Sequence, residues 1–145
     1  MKEAERRWNE TSERLRFSTE YAQSGLKGLF LANGAAIVGL LTFVGNAKVV
    51  VEPVALWWSF VWFSLGLTCV LGAYLAAYWS QELLMNASFG EFCKAESAAY
   101  ETGQVYNFTR YEKNGQRAVK VGLSLAIVAL VFFVAGAFVA LNAIT

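Results

Sequence analysis

Acid–base catalysis near neutral pH relies on a side chain that exchanges a proton there, and histidine does so without help from its surroundings. This chain has no histidine and no aspartate. Ser/His/Asp and Cys/His constellations are therefore excluded, as are metal sites built from histidine and cysteine. Cys69 lies in an apolar run and Cys93 in a charged one, so a structural disulfide is not expected and both read as free thiols. The glutamates remain, interleaved with Lys and Arg along stretches that read as solvent-facing helix. No Walker motif or Gly-rich phosphate loop occurs. The expectation is a protein that is not an enzyme and holds no metal and no cofactor.

Two groups of residues suit binding instead. The first is a set of small residues. On a helical wheel, Gly25, Gly28, Ala32, Ala35, Ala36 and Gly39 fall within about a third of the circumference. Such a face lets helix backbones approach closely. Asn33 lies beside it, deep within an apolar run, where an amide facing lipid is costly. Asn33 either bonds within its own chain or forms a ring around an oligomer axis.

The second group interleaves aromatics with cations: Tyr106, Phe108, Arg110, Tyr111 and Lys113, joined by Arg6, Arg7, Trp8 and Arg14 near the N-terminus. Aromatic rings stack bases while Arg and Lys hold phosphates, so one reading is a site for a nucleotide or short oligonucleotide. The other is an interfacial aromatic belt with ordinary helix packing. Interspersed glutamates and a net charge of +1 favour that second reading.

The elements that carry these residues are apolar. Hydrophobic residues make up 57% of the 145 and charged residues 16%, against about a quarter charged in ordinary soluble domains. The excess falls into three runs. A helix rises ~1.5 Å per residue and the hydrocarbon core is ~30 Å thick, so about 20 apolar residues suffice to cross it. The pattern divides the chain into an amphipathic helix over 1–25, a first span over 26–46 and a short external loop over 47–53. A second span covers 54–79, a helical extension with a turn 80–116, and a third span with the C-terminus 117–145. About 25 mixed-charge residues precede the first span, so no cleavable signal is expected.

Lys and Arg placement sets orientation. Eleven basic residues lie before span one or between spans two and three, counting Lys27 and Lys120 at the span entrances, and one, Lys48, lies in the first loop. The expected fold is an all-α membrane protein with three transmembrane helices, the N-terminus and helical extensions cytoplasmic and the C-terminus outside. Trp57, Trp58 and Trp62 would mark the outer end of span two, with Tyr74, Tyr78 and Trp79 at the inner end. Three glycosylation-like tripeptides, at Asn9, Asn86 and Asn107, then face the cytoplasm and read as chance matches.

Residues 1–25 carry a polar-interrupted stripe of Met1, Ala4, Trp8, Thr11, Leu15, Ser18, Ala22 and Gly25, suited to packing on the second loop or on a neighbouring subunit. The extension from Ser80 keeps helical spacing, Gly103 is a stop, and Asn114-Gly115 reads as a turn before span three. Span one, with its smooth face, is expected innermost and span two intermediate. Span three, bulky with Phe132, Phe133 and Phe138, is expected against lipid. Span interiors hold no ionisable residue, which disfavours ion-coupled transport.

The run from Leu29 to Asn46, LFLANGAAIVGLLTFVGN, resembles a segment of uncharacterised small bacterial three-span membrane proteins. The layout is similar to the small membrane effectors of bacterial antiphage systems. That resemblance implies a homo-oligomeric, gated pore in the bacterial inner membrane, its partners being membrane lipids, further copies of itself, and a nucleotide, an oligonucleotide or a cytoplasmic protein. The alternative is a non-conducting anchor or accessory subunit that binds a cytoplasmic protein.

Overall fold

The computed structural model describes residues 2–46, 52–99 and 109–143, with backbone alone for 2–15, 18, 91, 92 and 94–99. Three helices follow one another: α1 (Lys2–Asn46), α2 (Pro53–Ala99) and α3 (Thr109–Asn142). Pro53 opens α2, where its fixed φ suits the first turn and its missing N–H costs nothing. α1 runs unbroken through the boundary between its charged and apolar halves.

All three helices are long and apolar enough to cross a membrane. Their outward surface says the same. Leu31, Val38 and Leu41 of α1, Trp57, Leu65, Leu71 and Leu75 of α2, and Leu123, Ile127, Val131 and Phe138 of α3 are all exposed. A soluble monomer rarely exposes an apolar patch of more than a few hundred Å². A helical hairpin buried in a water-soluble core would have covered these side chains; a bilayer covers them without protein. The chain is a multi-pass membrane protein.

α2 and α3 pair antiparallel along most of their length. On α2, the small residues Ser59, Gly66, Ala73, Ser80 and Ala87 recur every seventh position; on α3, so do Gly115, Gly122, Ala129, Gly136 and Ala143. All are buried except Gly122, which is half-buried. A seven-residue period keeps one stripe facing the partner when helices wind left-handedly, and small side chains let the backbones close in. A Cβ built on Gly122 would stand 3.4 Å from the Ala76 Cβ and 3.5 Å from the Ala73 carbonyl oxygen. Larger residues fill what remains: Val70 is fully buried, Phe63 nearly so against Gly136. Phe63 also stacks with Phe133 at 5.7 Å between ring centroids, and Trp62 with Phe132 at 5.3 Å.

The seam closes at one end, where the Glu52 N–H donates to the Ala143 carbonyl at 3.3 Å. It still holds at Gly115, whose Cβ position faces Leu84 and Leu83. From Glu52 to Leu84 the pair covers ~48 Å at ~1.5 Å per residue, well beyond a ~30 Å hydrocarbon core. The α2–α3 pair is therefore longer than a hydrocarbon core is thick.

Two expectations change. Asn114-Gly115 is not a turn: α3 already starts at Thr109. Gly115 is there for close contact with Leu84, and tertiary packing overrides the turn preference of the dipeptide. Nor is α3 only a lipid-facing wall, since Phe132 and Phe133 stack on α2. Residues 47–51 and 100–108, with the expected stop at Gly103, lie outside the described residues.

Candidate functional site

α1 joins the hairpin through a seam of the same period. Leu26, Asn33 and Leu40 are seven apart, as are Leu29, Ala36 and Phe43, and all are half-buried or buried. Towards the N-terminus from this level, every residue from Thr19 to Gly25 is exposed. The Arg16–Glu20 ion pair at 3.6 Å and the Arg16 guanidinium 5.7 Å over the Phe17 ring are contacts of α1 with itself. Exposed pairs of this kind contribute little to stability.

Asn33 is the polar centre of the junction, and it is fully buried. Its Nδ2 donates to the Leu29 carbonyl at 2.9 Å, one turn back. Its Oδ1 accepts no hydrogen bond from an N–H or O–H. That oxygen sits against Gly66 of α2, at the position a Cβ would occupy, with the Asn33 Cγ 3.0 Å from the same point. The Ala129 carbonyl oxygen of α3 is 3.4 Å from it. Asn33 is thus packed within one chain, between α1 and α2 beside α3.

Other polar groups in the spans are satisfied locally. Thr42, Ser59, Thr68 and Ser124 hydroxyls each donate to the carbonyl four residues back at 2.9 Å, and Ser80 to Ala77 at 2.7 Å. Back-bonding hides the hydroxyl dipole, so Ser59 and Ser80 enter an apolar seam without penalty.

The small-residue face of α1 lies next to this seam. Ala32 and Ala36 are half-buried at its border. Gly25, Gly28 and Gly39 are exposed, and a Cβ on any of them would meet nothing within 4 Å. Among the described residues these glycines make no close approach to their own chain, in contrast to Gly66, Gly115 and Gly136.

The aromatic–basic group is described in part. Arg110, Tyr111 and Lys113 sit in the first turns of α3 with exposed side chains. Beside them, Gln116 donates to the Glu112 carboxylate at 3.3 Å. Arg6, Arg7, Trp8 and Arg14 belong to α1, their side chains outside the described set; Tyr106 and Phe108 lie outside the described residues. Among the described residues no cluster of three or more Cys or Glu is arranged to hold a metal.

Gly66 is the residue that a wheel drawn for α1 alone does not reveal. Its signal was the seven-residue spacing of small residues in both later spans. Comparison of the chain with protein families, curated proteins and solved structures found no match.

Proposed function

We propose that the chain assembles through α1 into a homo-oligomeric channel or pore of the bacterial inner membrane, an effector of the kind that serves antiphage defence. The observation that carries this reading is the uncovered glycine face of α1. Glycine in a helix interior costs roughly 0.5–1 kcal/mol relative to alanine, and Gly28 and Gly39 recover nothing for it inside one chain. A neighbouring helix close against that face would recover it. The eleven-to-one split of basic residues supports a cytoplasmic N-terminus and an external C-terminus. The projecting ends of α1, α2 and α3 then lie in the cytoplasm, where a nucleotide or oligonucleotide at the aromatic–basic group would gate the pore. Purified protein in planar bilayers should conduct, and Gly39→Leu should abolish conductance. Silent bilayers from a monomeric particle would refute this.

A second reading has its own support. Asn33 is committed inside the chain, and the exposed Thr42 bonds back to its own helix. The outer face of α1 is therefore apolar at mid-depth, as suits a dry contact. On the projecting end of α2, Tyr78, Met85 and Phe89 share one exposed face. These features fit a non-conducting anchor that binds a cytoplasmic protein. Such an anchor co-purifies with that protein and gives no conductance.

A further inference from the structure

Beside the seam between α1 and α2, on one side of Asn33, lies an open groove of about 370 Å³ lined by Lys27, Phe30, Leu31, Leu71 and Tyr74. We propose that this groove binds an anionic phospholipid, its phosphate on the Lys27 ammonium and Tyr74 hydroxyl and one acyl chain along Phe30, Leu31 and Leu71.

Depth is the first argument. A ~30 Å hydrocarbon core holds about twenty helical residues at ~1.5 Å each. Counting back from Asn46, the end of α1, reaches Lys27. Counting forward from Pro53, the start of α2, reaches Gly72, one half-turn before Tyr74. The groove's two polar side chains therefore lie where hydrocarbon gives way to headgroups, and its three apolar ones lie at or below that level.

Charge is the second. Among the described residues Lys27 makes no ion pair. The nearest carboxylate on its own helix, Glu20, is engaged with Arg16. On α2, Glu82 is eight residues beyond Tyr74, ~12 Å along the helix. Among the described residues Lys27 thus has no protein anion, and an N⁺–H···O⁻ bond to a phosphate supplies one. A second copy of α1 seated here would instead cover an unpaired ammonium with apolar side chains. Shape is the third: a slot between two helices holds a single chain, where a convex helix surface would hold none in place.

The lipid site is independent of the pore reading, since a monomer has it too. The test uses the full chain purified in detergent, with thermal unfolding and native mass spectrometry after addition of phosphatidylglycerol, phosphatidylcholine or inorganic phosphate. Phosphatidylglycerol should raise the unfolding midpoint and remain attached, while the other two should do neither. Lys27→Gln should reduce the phosphatidylglycerol response to that of phosphatidylcholine, with Lys27→Arg retaining it. Lys120→Gln, a lysine at similar depth outside the groove, should respond as the parent does. Leu71→Trp should fill the slot and lower lipid retention with the charge intact. Equal responses to both lipids, a response to phosphate alone, an undiminished response in Lys27→Gln or an equal loss in Lys120→Gln would each overturn the assignment. So would an assembled particle that excludes lipid from the groove.

Discussion

The Asn33 amide of α1 occupies the space that the missing side chain of Gly66 leaves on α2, so that the one buried amide in the junction and one glycine of the seven-residue series define each other. A polar group at a seam position costs stability and fixes register, because a slip of the helix would strand it against apolar neighbours. Here the slip would set Asn33 against Phe63 or Val70, both buried in the seam.

That fit predicts a reciprocal pair of substitutions. Gly66→Ala drives a methyl into the Asn33 amide and should destabilise the protein by about 1–3 kcal/mol, the usual cost of overpacking. Asn33→Ala removes the obstacle, leaving the Ala129 carbonyl at ordinary contact distance. The double variant should be more stable than Gly66→Ala alone. Denaturant unfolding in detergent, read as a double-mutant cycle, measures the coupling.

Glycine-to-alanine substitutions should rank by what each new methyl meets. Gly136→Ala confronts three atoms of the Phe63 ring at 3.0–3.1 Å and should destabilise. Gly122→Ala makes only van der Waals contact, so the gain in helix propensity should leave it neutral or slightly stabilised. Gly28→Ala meets nothing in its own chain, and in a monomeric preparation it should stabilise by up to ~1 kcal/mol. Thermal midpoints of the three variants check the order.

The α2–α3 register is open to cross-linking. A Cβ on Gly122 would lie 3.4 Å from that of Ala76, near the ~3.8 Å typical of disulfides. In a chain with Cys69 and Cys93 replaced by alanine, Ala76→Cys with Gly122→Cys should oxidise to an intramolecular disulfide. Ala76→Cys with Val121→Cys should not, because Val121 points away from the seam and is exposed.

The orientation proposed from the basic residues predicts a labelling pattern. In the same cysteine-free chain, Lys48→Cys should react with a membrane-impermeant maleimide in intact bacterial cells. Lys113→Cys should react only after the membrane is opened. The reverse pattern would invert the topology.

Much of this was legible in the sequence. Twenty-residue apolar runs are hard to hide, and Pro53 opens α2 where its chemistry suits a helix start. Small residues announce close approach but do not name the partner. On α1 they form a broad face whose glycines no described residue of the chain covers, while on α2 and α3 they form a narrow seven-residue stripe, diluted by large neighbours such as Phe63 and Phe133. Asn33 was recognisable as costly, yet its direction depends on Gly66, over thirty residues away. Asn114-Gly115 carries turn chemistry that only a partner helix overrules. Lys27 and Tyr74 read in the sequence as an entrance cation and a belt aromatic, and their shared groove is visible only once α1 lies beside α2.

The central claim is that copies of this chain meet through the glycine face of α1, and native mass spectrometry of the full chain in detergent tests it most directly. The account predicts a discrete oligomer that Gly28→Leu with Gly39→Leu converts to a monomer that still unfolds cooperatively on heating. A parent protein that is monomeric, or an oligomer indifferent to both substitutions, would contradict it.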